Sequence, residues 1–403
     1  MNVALPRTFN PIGSDAVAPD CRGSDFFAID PDFQALLKLY VAPDLLAHLW
    51  PHYAALGELA GGRLDELATT ADRHPPVLHA RDRFGRDEEW IDYHPAYREM
   101  EQIAYGDLGL HAMSHRPGVL GWQAPIPAVA KYAFQYLFVQ AEFGLMCPVS
   151  VSDTAAFLLG RYGDPELKER YLPGMLSQSM DTLLKGTQFI TEKPAGSDIG
   201  RIESVAVKSE SGEWRLHGEK WFCSHTDADV AMLLARPEGA VGGTKGLGLF
   251  LLPRHLDNGE RNSYRIIRLK DKLGTRSMAS GEVRMEGALV HPVGDVQRGL
   301  RQMMDQVNLS RLSHGVRAAA MMRRCWNEAR SAATGREVFG TTVAAQPLAR
   351  RQLAKIRLPA EQALSMAMFT AHVMEAEQSG KDGASEMLRL LTPLIKLRAC
   401  RDN

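Results

Sequence analysis

A short polar stretch directly after an apolar run carries the side chains best suited to chemistry. Residues 188–200 read QFITEKPAGSDIG. The run Phe189, Ile190 and Thr191 is typical of a β-strand, and the segment from Pro194 onward is typical of a turn. Glycine in such a turn lets backbone amides come close to a phosphate, and the hydroxyls add hydrogen-bond donors. Taken alone, the stretch is compatible with an ordinary Gly/Asp turn and with a turn that binds a ligand.

The elements that must position this turn follow an α+β order. Residues 1–30 are rich in Pro, Gly and Asp and predict an extended arm or a docked loop. Residues 31–185 have helical periodicity, and residues 186–300 predict short strands between glycine-rich turns. Residues 301–403 return to helical periodicity. We therefore expect an arm, an N-terminal α-helical domain, a middle β-barrel or sandwich domain and a C-terminal α-helical bundle.

This order excludes one common class of nucleotide-binding fold. Strands and helices do not alternate along the chain, as they do in a doubly wound sheet. The sequence also contains no G-x-G-x-x-G fingerprint and no P-loop. A Rossmann-type dinucleotide site is therefore not expected.

Local signals place individual elements within these segments. The spacing of Phe33 and Leu37 predicts one face of a helix. Asp164 followed by Pro165 predicts an N-cap and the first position of another helix. The alternation in residues 205–216, interrupted by a Ser-Gly pair, predicts a β-hairpin.

Composition excludes several other classes of protein. The chain has 403 residues and a formal net charge of −1. No run of about 18 apolar residues predicts a membrane span, and the N-terminus lacks the pattern of a secretory signal. The five cysteines match neither a zinc site nor a redox pair, so we expect reduced thiols, a cytoplasmic protein and no metal centre.

The charge is unevenly distributed along the chain. Residues 301–403 contain 16 Lys/Arg and 9 Asp/Glu, a net charge of +7, whereas the first 300 residues carry −8. A basic C-terminal third indicates a phosphate-bearing partner, such as a nucleotide cofactor or DNA. The alternative is a solvated helical face rich in arginine.

Five segments in chain order resemble the motifs of the acyl-CoA dehydrogenase family. The first is QFITEKPAGSDIG, which resembles the family's flavin signature. The others are RYGDPELKERYLP, LHGEKWFCSHTDAD, DKLGTRSMASGEVRME and GREVFG, which end at Gly340. The strand KWFCSHTDAD and the N-terminal arm are most similar to the AidB-type branch, the adaptive-response flavoproteins that protect DNA against alkylation. The resemblance implies the family's three-domain fold and an FAD cofactor.

The resemblance also implies which residues contact the cofactor. Thr191 and Ser224 correspond to hydroxyl groups near the polar edge of the flavin ring, and Phe222 to a tryptophan that packs on it. Ser197 corresponds to a serine between the flavin pyrophosphate and the acyl-CoA chain. A lone exposed strand hydroxyl is the alternative for Ser224. The full implied set is Gln188, Ile190, Thr191, Gly196, Ser197, Phe222, Cys223, Ser224, Arg336, Phe339 and Gln346.

Three members of this set belong, in the family, to the share of the site that a neighbouring subunit provides. Arg336 corresponds to an arginine that pairs with the flavin pyrophosphate, and Phe339 to an aromatic near the adenine. Gln346 lies one residue before the family's usual glutamine position, which here is Pro347. The resemblance implies a homo-oligomer, either a dimer or a tetramer. A helix-end cation is the alternative interpretation of Arg336.

The residues that would bind and deprotonate the substrate match the family less completely. Arg311 corresponds to an arginine near the substrate, but its usual aspartate partner is replaced by Asn308. One family position for the glutamate that removes the substrate proton is Ser310, and the other falls beyond Asn403 by spacing. The catalytic base is therefore unknown. From the helical pattern at its end we expect a fragment with an incomplete C-terminal bundle.

Two functions follow as hypotheses. The first is an FAD-dependent oxidoreductase that carries out α,β-dehydrogenation of an acyl-CoA thioester with hydride transfer to flavin N5. The second is a DNA-binding flavoprotein of the alkylation response with weak or no dehydrogenase activity. The cluster Arg350, Arg351, Lys355 and Arg357 is compatible with DNA phosphates and with the phosphates of FAD or CoA. A folded chain that has lost the cofactor is the remaining alternative.

Overall fold

The structure is a computed structural model that describes residues 18–403. Its helices are α1 (Pro31–Tyr40), α2 (Pro43–Gly61), α3 (Arg63–Arg73), α4 (Pro95–Glu101), α5 (Ala128–Val139), α6 (Met146–Tyr162), α7 (Pro165–Met175), α8 (Gly299–Gly335), α9 (Pro347–Gln378) and α10 (Ala384–Asp402). Its strands are β1 (Val77–Arg81), β2 (Asp87–Asp92), β3 (Gly186–Phe189), β4 (Val205–Lys208), β5 (Trp214–Ser224), β6 (Val230–Pro237), β7 (Gly248–Pro253), β8 (Tyr264–Leu269), β9 (Ser280–Pro292), β10 (Glu337–Val338) and β11 (Thr341–Thr342).

The chain forms two compact units. The helical unit comprises residues 18–69, Ile126–Phe143 and Arg311–Asn403. The barrel unit comprises Thr70–Pro125 and Gly144–Ser310. The segment predicted as an N-terminal helical domain therefore contributes helices to both units. The overall α+β class, with helices at both ends of the chain and a β module between them, is confirmed.

The helical unit begins with a buried anchor. Asp30 caps α1 by accepting a hydrogen bond from the backbone N–H of Phe33, and Phe33 and Leu37 are both fully buried, as the spacing predicted. The second carboxylate oxygen of Asp30 accepts from the Tyr136 hydroxyl at 2.8 Å and pairs with Arg323 at 3.2 Å. This buried network fixes α1 against α5 and α8.

The chain before α1 packs closely against α2. The backbone N–H groups of Gly23 and Phe26 donate to the carbonyls of Gly61 and Gly57. A Cβ at Gly61 would lie 1.8 Å from the carbonyl oxygen of Ser24, so only glycine permits this approach. Residues 18–30 therefore form a docked loop, and the rest of the predicted arm lies outside the described residues.

The middle of the chain forms a closed barrel. Five strands pair in a cycle, in the order β4, β5, β9, β7 and β6, with β6 returning to β4. Strand β3 extends the sheet from β6 and β8 extends it from β9. The short strands therefore form a barrel and not a sandwich. The predicted hairpin is β4–β5, with Val205 opposite His217.

Two features of the barrel unit test the local predictions. The N-cap at Asp164 is confirmed, since its carboxylate accepts from the backbone N–H of Leu167 and Pro165 occupies the first turn. The purely helical interpretation of residues 31–185 is wrong at residues 77–92, where β1 and β2 form a hairpin. Its turn is stabilised by the Asp82 carboxylate, which accepts from the backbone N–H groups of Phe84 and Arg86.

No helix within residues 18–403 combines the length and the apolar character that crossing a bilayer requires.

Candidate functional site

The turn after β3 is a tightly closed loop. Strand β3 ends at Phe189, so the expectation that Ile190 and Thr191 continue the strand is wrong. The chain leaves the ladder because Glu192 and Ala195 exchange backbone hydrogen bonds of 3.0 and 3.1 Å across Pro194. The backbone N–H of Trp221 on β5 still donates to the carbonyl of Thr191 at 2.8 Å. Thr191 is thereby fixed at the end of β5.

A buried carboxylate holds the far side of this turn. The Glu192 side chain accepts hydrogen bonds from the backbone N–H of Glu203 at 2.7 Å, from the backbone N–H of Ser204 and from the Ser204 hydroxyl. These bonds close the 192–204 segment into one loop. The turn therefore depends on a single acidic side chain within the signature.

A buried lysine neutralises that carboxylate. Lys220 on β5 has no exposed side-chain surface, and its Nζ donates to Glu192 Oε1 and to the Leu234 carbonyl, both at 2.7 Å. Burial alone would raise the pKa of Glu192, but the Lys220 ammonium and the hydrogen bonds to the carboxylate hold that pKa below its ordinary value. The pair ties the turn to the barrel wall.

The end of β5 presents a polar and aromatic face. Successive side chains of a strand alternate between faces, so Phe222 and Ser224 share one face and Cys223 lies on the other. Phe222 is 58% exposed and Ser224 is half-buried, whereas Cys223 is buried and burial raises the pKa of its thiol. Only the backbone of Cys223 can therefore meet a ligand on this face.

Local contacts stop β5 directly after this face. The Thr187 hydroxyl donates to the carbonyl of Ser224 at 2.6 Å, and the Thr226 hydroxyl donates to the carbonyl of Cys223 at 2.7 Å. His225 adopts a left-handed conformation with φ of 55°, which turns the chain away from the ladder. Two hydrogen bonds to the carbonyls of Cys223 and Ser224 therefore fix the backbone that carries the Ser224 side chain.

The hydroxyls predicted to contact the cofactor are available for a ligand. Within residues 18–403, the side-chain hydroxyls of Thr191, Ser197 and Ser224 make no hydrogen bond. A Cβ at Gly196 would meet nothing within 4 Å, so the space beside the turn is open. On the face at the end of β5, the exposed ring of Phe222 and the unbonded hydroxyl of Ser224 suit the face and the polar edge of a flavin.

Two other predicted contact residues offer only their backbone. The side-chain amide of Gln188 is bound to the carbonyl of Val151, the hydroxyl of Thr154 and the amide of Gln306. Ile190 packs against the buried core of the barrel unit. Both side chains therefore stabilise the protein rather than face a ligand.

In the helical unit, the predicted residues Arg336 and Phe339 lie on a small exposed hairpin. Strands β10 and β11 are joined by Phe339 and Gly340, whose φ angles of 53° and 76° are those of a type I′ turn. Phe339 is 98% exposed, and the exposed Arg336 side chain has no partner within residues 18–403. Gln346 follows as the N-cap residue of α9.

The predicted substrate arginine lies on the long helix α8. Arg311 is half-buried, as are its neighbours Asn308 and Ser310, and all three have partners within the protein. Residue 310 is a serine, which cannot serve as the carboxylate base.

Sequence reasoning missed several charged residues around the barrel face. Lys220 was noticed only as part of the motif GEKWF, although a lysine inside an otherwise buried strand signals a paired charge. Lys270 and Lys272 follow β8 and lie beside the same face. Their placement depends on the register of three strands, for which the sequence gives no direct signal.

Three family models match the chain in order. The adaptive response protein AidB N-terminal domain matches residues 17–182, the acyl-CoA dehydrogenase middle domain residues 187–288, and the acyl-CoA dehydrogenase C-terminal domain residues 297–402. Acyl-CoA dehydrogenases are FAD-binding proteins. The motifs quoted above lie within these matches.

Individual relatives agree with the models. Acyl-CoA dehydrogenase family member 11 of Caenorhabditis elegans is 31% identical over 92% of this chain and 61% of its own length. AidB of Escherichia coli is 31% identical over 83% of this chain and 61% of its own length. The solved structure of C. elegans ACDH-11 in complex with C11-CoA has a TM-score of 0.88 and 27% identity, and covers 96% of this chain and 67% of that one. The chain thus spans about 61% of the length of these two curated relatives.

Proposed function

We propose that this chain, which belongs to the acyl-CoA dehydrogenase family, binds FAD and acts as an acyl-CoA dehydrogenase-type oxidoreductase. The observation that carries the proposal is the face at the end of β5, where the exposed ring of Phe222 and the unbonded hydroxyl of Ser224 lie on the same side of the strand. When bound there, FAD would supply the acceptor for a hydride from the β-carbon of an acyl-CoA thioester.

The barrel residues have distinct roles in this proposal. The hydroxyls of Thr191 and Ser224 hydrogen-bond the polar edge of the flavin ring, where reduction concentrates charge. Phe222 packs against the ring. Gln188, Ile190 and Cys223 offer backbone groups, which is all that their buried or bonded side chains leave available.

The open turn serves the phosphate-bearing parts of the ligands. Gly196 leaves space for a pyrophosphate, and the exposed hydroxyl of Ser197 can donate to it or to the acyl-CoA chain. Arg311 is assigned to the substrate side. The base that removes the substrate proton is not assigned, since position 310 is a serine.

A second copy of the chain would complete the site. The guanidinium of Arg336 suits the oxygens of the flavin pyrophosphate, and the exposed ring of Phe339 suits the adenine. Gln346, next to them in the chain, adds an amide. We therefore propose a homo-oligomer, a dimer or a tetramer, and place it in the cytoplasm because all five cysteines are free thiols.

Visible spectroscopy of the purified protein tests the proposal. The protein should be yellow, or become so when FAD is added, and anaerobic addition of C11-CoA should bleach the flavin band. A colourless protein that does not bind added FAD would contradict the whole proposal. A bound flavin that no acyl-CoA of any chain length bleaches would contradict the dehydrogenase step and leave FAD binding in place.

One observation supports a second function, DNA binding by the flavoprotein. Arg350, Arg351 and Lys355 are exposed on the first turns of α9, and within the described chain they have no ion-pair partner. Such a cluster can contact phosphates of a duplex, and binding would then weaken steeply as salt rises. Replacing all three by glutamine should reduce the salt dependence of duplex binding. Unchanged binding in that variant would contradict this function for α9.

A further inference from the structure

One open groove of the barrel unit has a cation at each end and leucine side chains between them. The groove runs along α7 and has a volume of about 640 Å³, which is within the range of small-molecule sites. Lys168, Leu172 and Leu176 line it at intervals of four residues, so they form one row along the helix. The described residues that line this groove do not include those proposed to contact FAD.

The cation at the C-terminal end of α7 is Arg116, which the protein holds in one orientation. Its Nε donates to the carbonyl of Leu176 at 3.0 Å, and its Nη2 donates to Gln178 Oε1 at 2.7 Å. Its Nη1 donates to the carbonyl of Pro117 at 3.4 Å. Gln178 is itself fixed, because its Nε2 donates to the carbonyl of Gly106 at 2.7 Å. The guanidinium is therefore in place before any ligand binds.

The bonds of Arg116 leave its charge and part of its hydrogen-bonding capacity unused. All three acceptors are neutral oxygens, and within residues 18–403 the guanidinium forms no ion pair. A guanidinium has five N–H donors. One donor on Nη1 and one on Nη2 are therefore left for a ligand. Two such donors side by side suit the two oxygens of a carboxylate.

The cation at the other end of the groove is Lys168. Its side chain is half-buried, and its ammonium has no hydrogen-bond or ion-pair partner in the part of the chain that the structure describes. Lys168 lies eight residues before Leu176, a separation of about 12 Å along the helix axis. The exposed Glu169 also lines the groove. Two cations and one carboxylate give the lining residues a net charge of +1, which favours an anionic ligand.

Between the two cations the groove is apolar. Leu172 and Leu176 are half-buried and pack against the buried core of the barrel unit. Their outer surfaces are therefore fixed and can cover an alkyl chain, which gains free energy by leaving water.

We infer that this groove binds a medium-chain α,ω-dicarboxylate, which is an alkyl chain with a carboxylate at each end. One carboxylate accepts two hydrogen bonds from Arg116, the chain covers Leu172 and Leu176, and the second carboxylate pairs with Lys168. This assignment uses both cations and the apolar surface between them. It does not depend on the binding of FAD at the end of β5.

Isothermal titration calorimetry of the purified chain at low ionic strength tests the inference with three ligands of equal chain length. Decanedioate should bind saturably, decanoate about fivefold more weakly because it lacks the second carboxylate, and decanol more weakly still. Saturation with FAD and C11-CoA should leave the affinity for decanedioate unchanged. Absence of saturable binding, equal affinities for decanedioate and decanoate, or competition by C11-CoA would each overturn the inference.

Two variants assign the ends of the ligand. Lys168→Met should lower the affinity for decanedioate about fivefold and leave that for decanoate unchanged, and the fold should be unaffected because the ammonium has no protein partner. Arg116→Lys should weaken both ligands about tenfold, because an ammonium cannot donate two parallel bonds. Lys245→Met is the matched control, since Lys245 is an exposed, unpaired lysine among the described residues of the same unit and does not line the groove.

The same measurements separate this inference from the proposed function. If Lys168→Met binds decanedioate as tightly as Lys245→Met does, the inference is overturned, whatever the flavin spectrum shows. A protein that binds no FAD but binds decanedioate with the expected preference would contradict the proposed function and leave the groove assignment in place.

Discussion

The face at the end of β5 and the hairpin that carries Arg336 differ in how the chain supports them. Behind the face, a buried ion pair between Glu192 and Lys220 fixes the turn, and a hydrogen bond from the Thr187 hydroxyl fixes the backbone of Ser224. The side chains of Arg336 and Phe339 are exposed, and Arg336 makes no side-chain bond within the described chain. The face is held in place by contacts within the chain, whereas the side chains of the hairpin can still bind another molecule.

This difference predicts two kinds of mutational effect. Removing one member of a buried ion pair destabilises the fold, because the charge that remains has neither its partner nor water to solvate it. An exposed charge without a partner contributes little to folding, so its removal affects the ligand and not the fold. Substitutions behind the barrel face should therefore change stability, and substitutions on the hairpin should change binding.

The largest effect is expected for Lys220→Met. The substitution leaves the Glu192 carboxylate buried beside an apolar side chain, and the free energy of unfolding should fall by about 3–5 kcal/mol. Urea unfolding of the FAD-free protein measures the loss. Arg284→Met is the control, since it breaks an exposed ion pair with Glu219 on the same barrel and should leave the free energy of unfolding close to that of the wild type. If Lys220→Met lost no more unfolding free energy than the control, the Glu192–Lys220 pair would not anchor the turn.

Acid should weaken the same anchor in a defined direction. The folded-state pKa of Glu192 lies below its ordinary value of 4.5, so the pair stabilises the fold fully above about pH 4.5. As the pH falls below that value towards the folded-state pKa, the contribution is lost. The stability difference between wild type and Glu192→Gln should therefore shrink below pH 4.5. A difference that stays constant down to pH 3 would contradict the depressed pKa.

The sequence could predict features that depend on neighbouring residues, but not those that depend on contacts between distant parts of the chain. Asp164 and the β4–β5 hairpin were predictable because caps and two-periodic alternation are local signals. The end of β3 at Phe189 was not, because the Glu192–Ala195 turn that ends the strand is held by a buried contact between Glu192 and Lys220, 28 residues apart in the chain. Motif resemblance identified Ser224.

No local sequence pattern could predict that Lys270 and Lys272 lie beside the face at the end of β5. Lys272 approaches Ser224 only because β5 and β9 pair with Ser224 opposite Ser280. A shift of one residue in that register would move the hydroxyls to opposite faces.

The β1–β2 hairpin was not predicted, although its signal is local, because the Asp82 turn lies within a charged stretch that does not alternate clearly.

On the hairpin, Arg336→Ala should weaken FAD binding without changing the fold. Loss of charge-assisted bonds to a phosphate costs about 1.5–3 kcal/mol, or roughly tenfold to 150-fold in the dissociation constant. Fluorescence titration of FAD measures this, and urea unfolding of the FAD-free protein should be unchanged. Arg330→Ala on α8 is the matched control, because Arg330 is also exposed and lies near the end of the same helix. Equal affinities of the two variants would remove Arg336 from the cofactor site.

The smallest effect is expected for Phe339→Asn, and its sign is opposite for folding and for binding. A bulky side chain at a φ of 53° is strained, whereas Asn followed by Gly is favoured in a type I′ turn. Phe339 is 98% exposed, so its removal forfeits little buried surface. The FAD-free protein should gain about 1 kcal/mol in unfolding free energy while its affinity for FAD falls. Leu348→Asn controls for removing an exposed apolar side chain, 76% exposed on α9, and should give no such gain. A loss of stability in Phe339→Asn would mean that the ring already packs against protein, and the contrast between the hairpin and the barrel face would then fail.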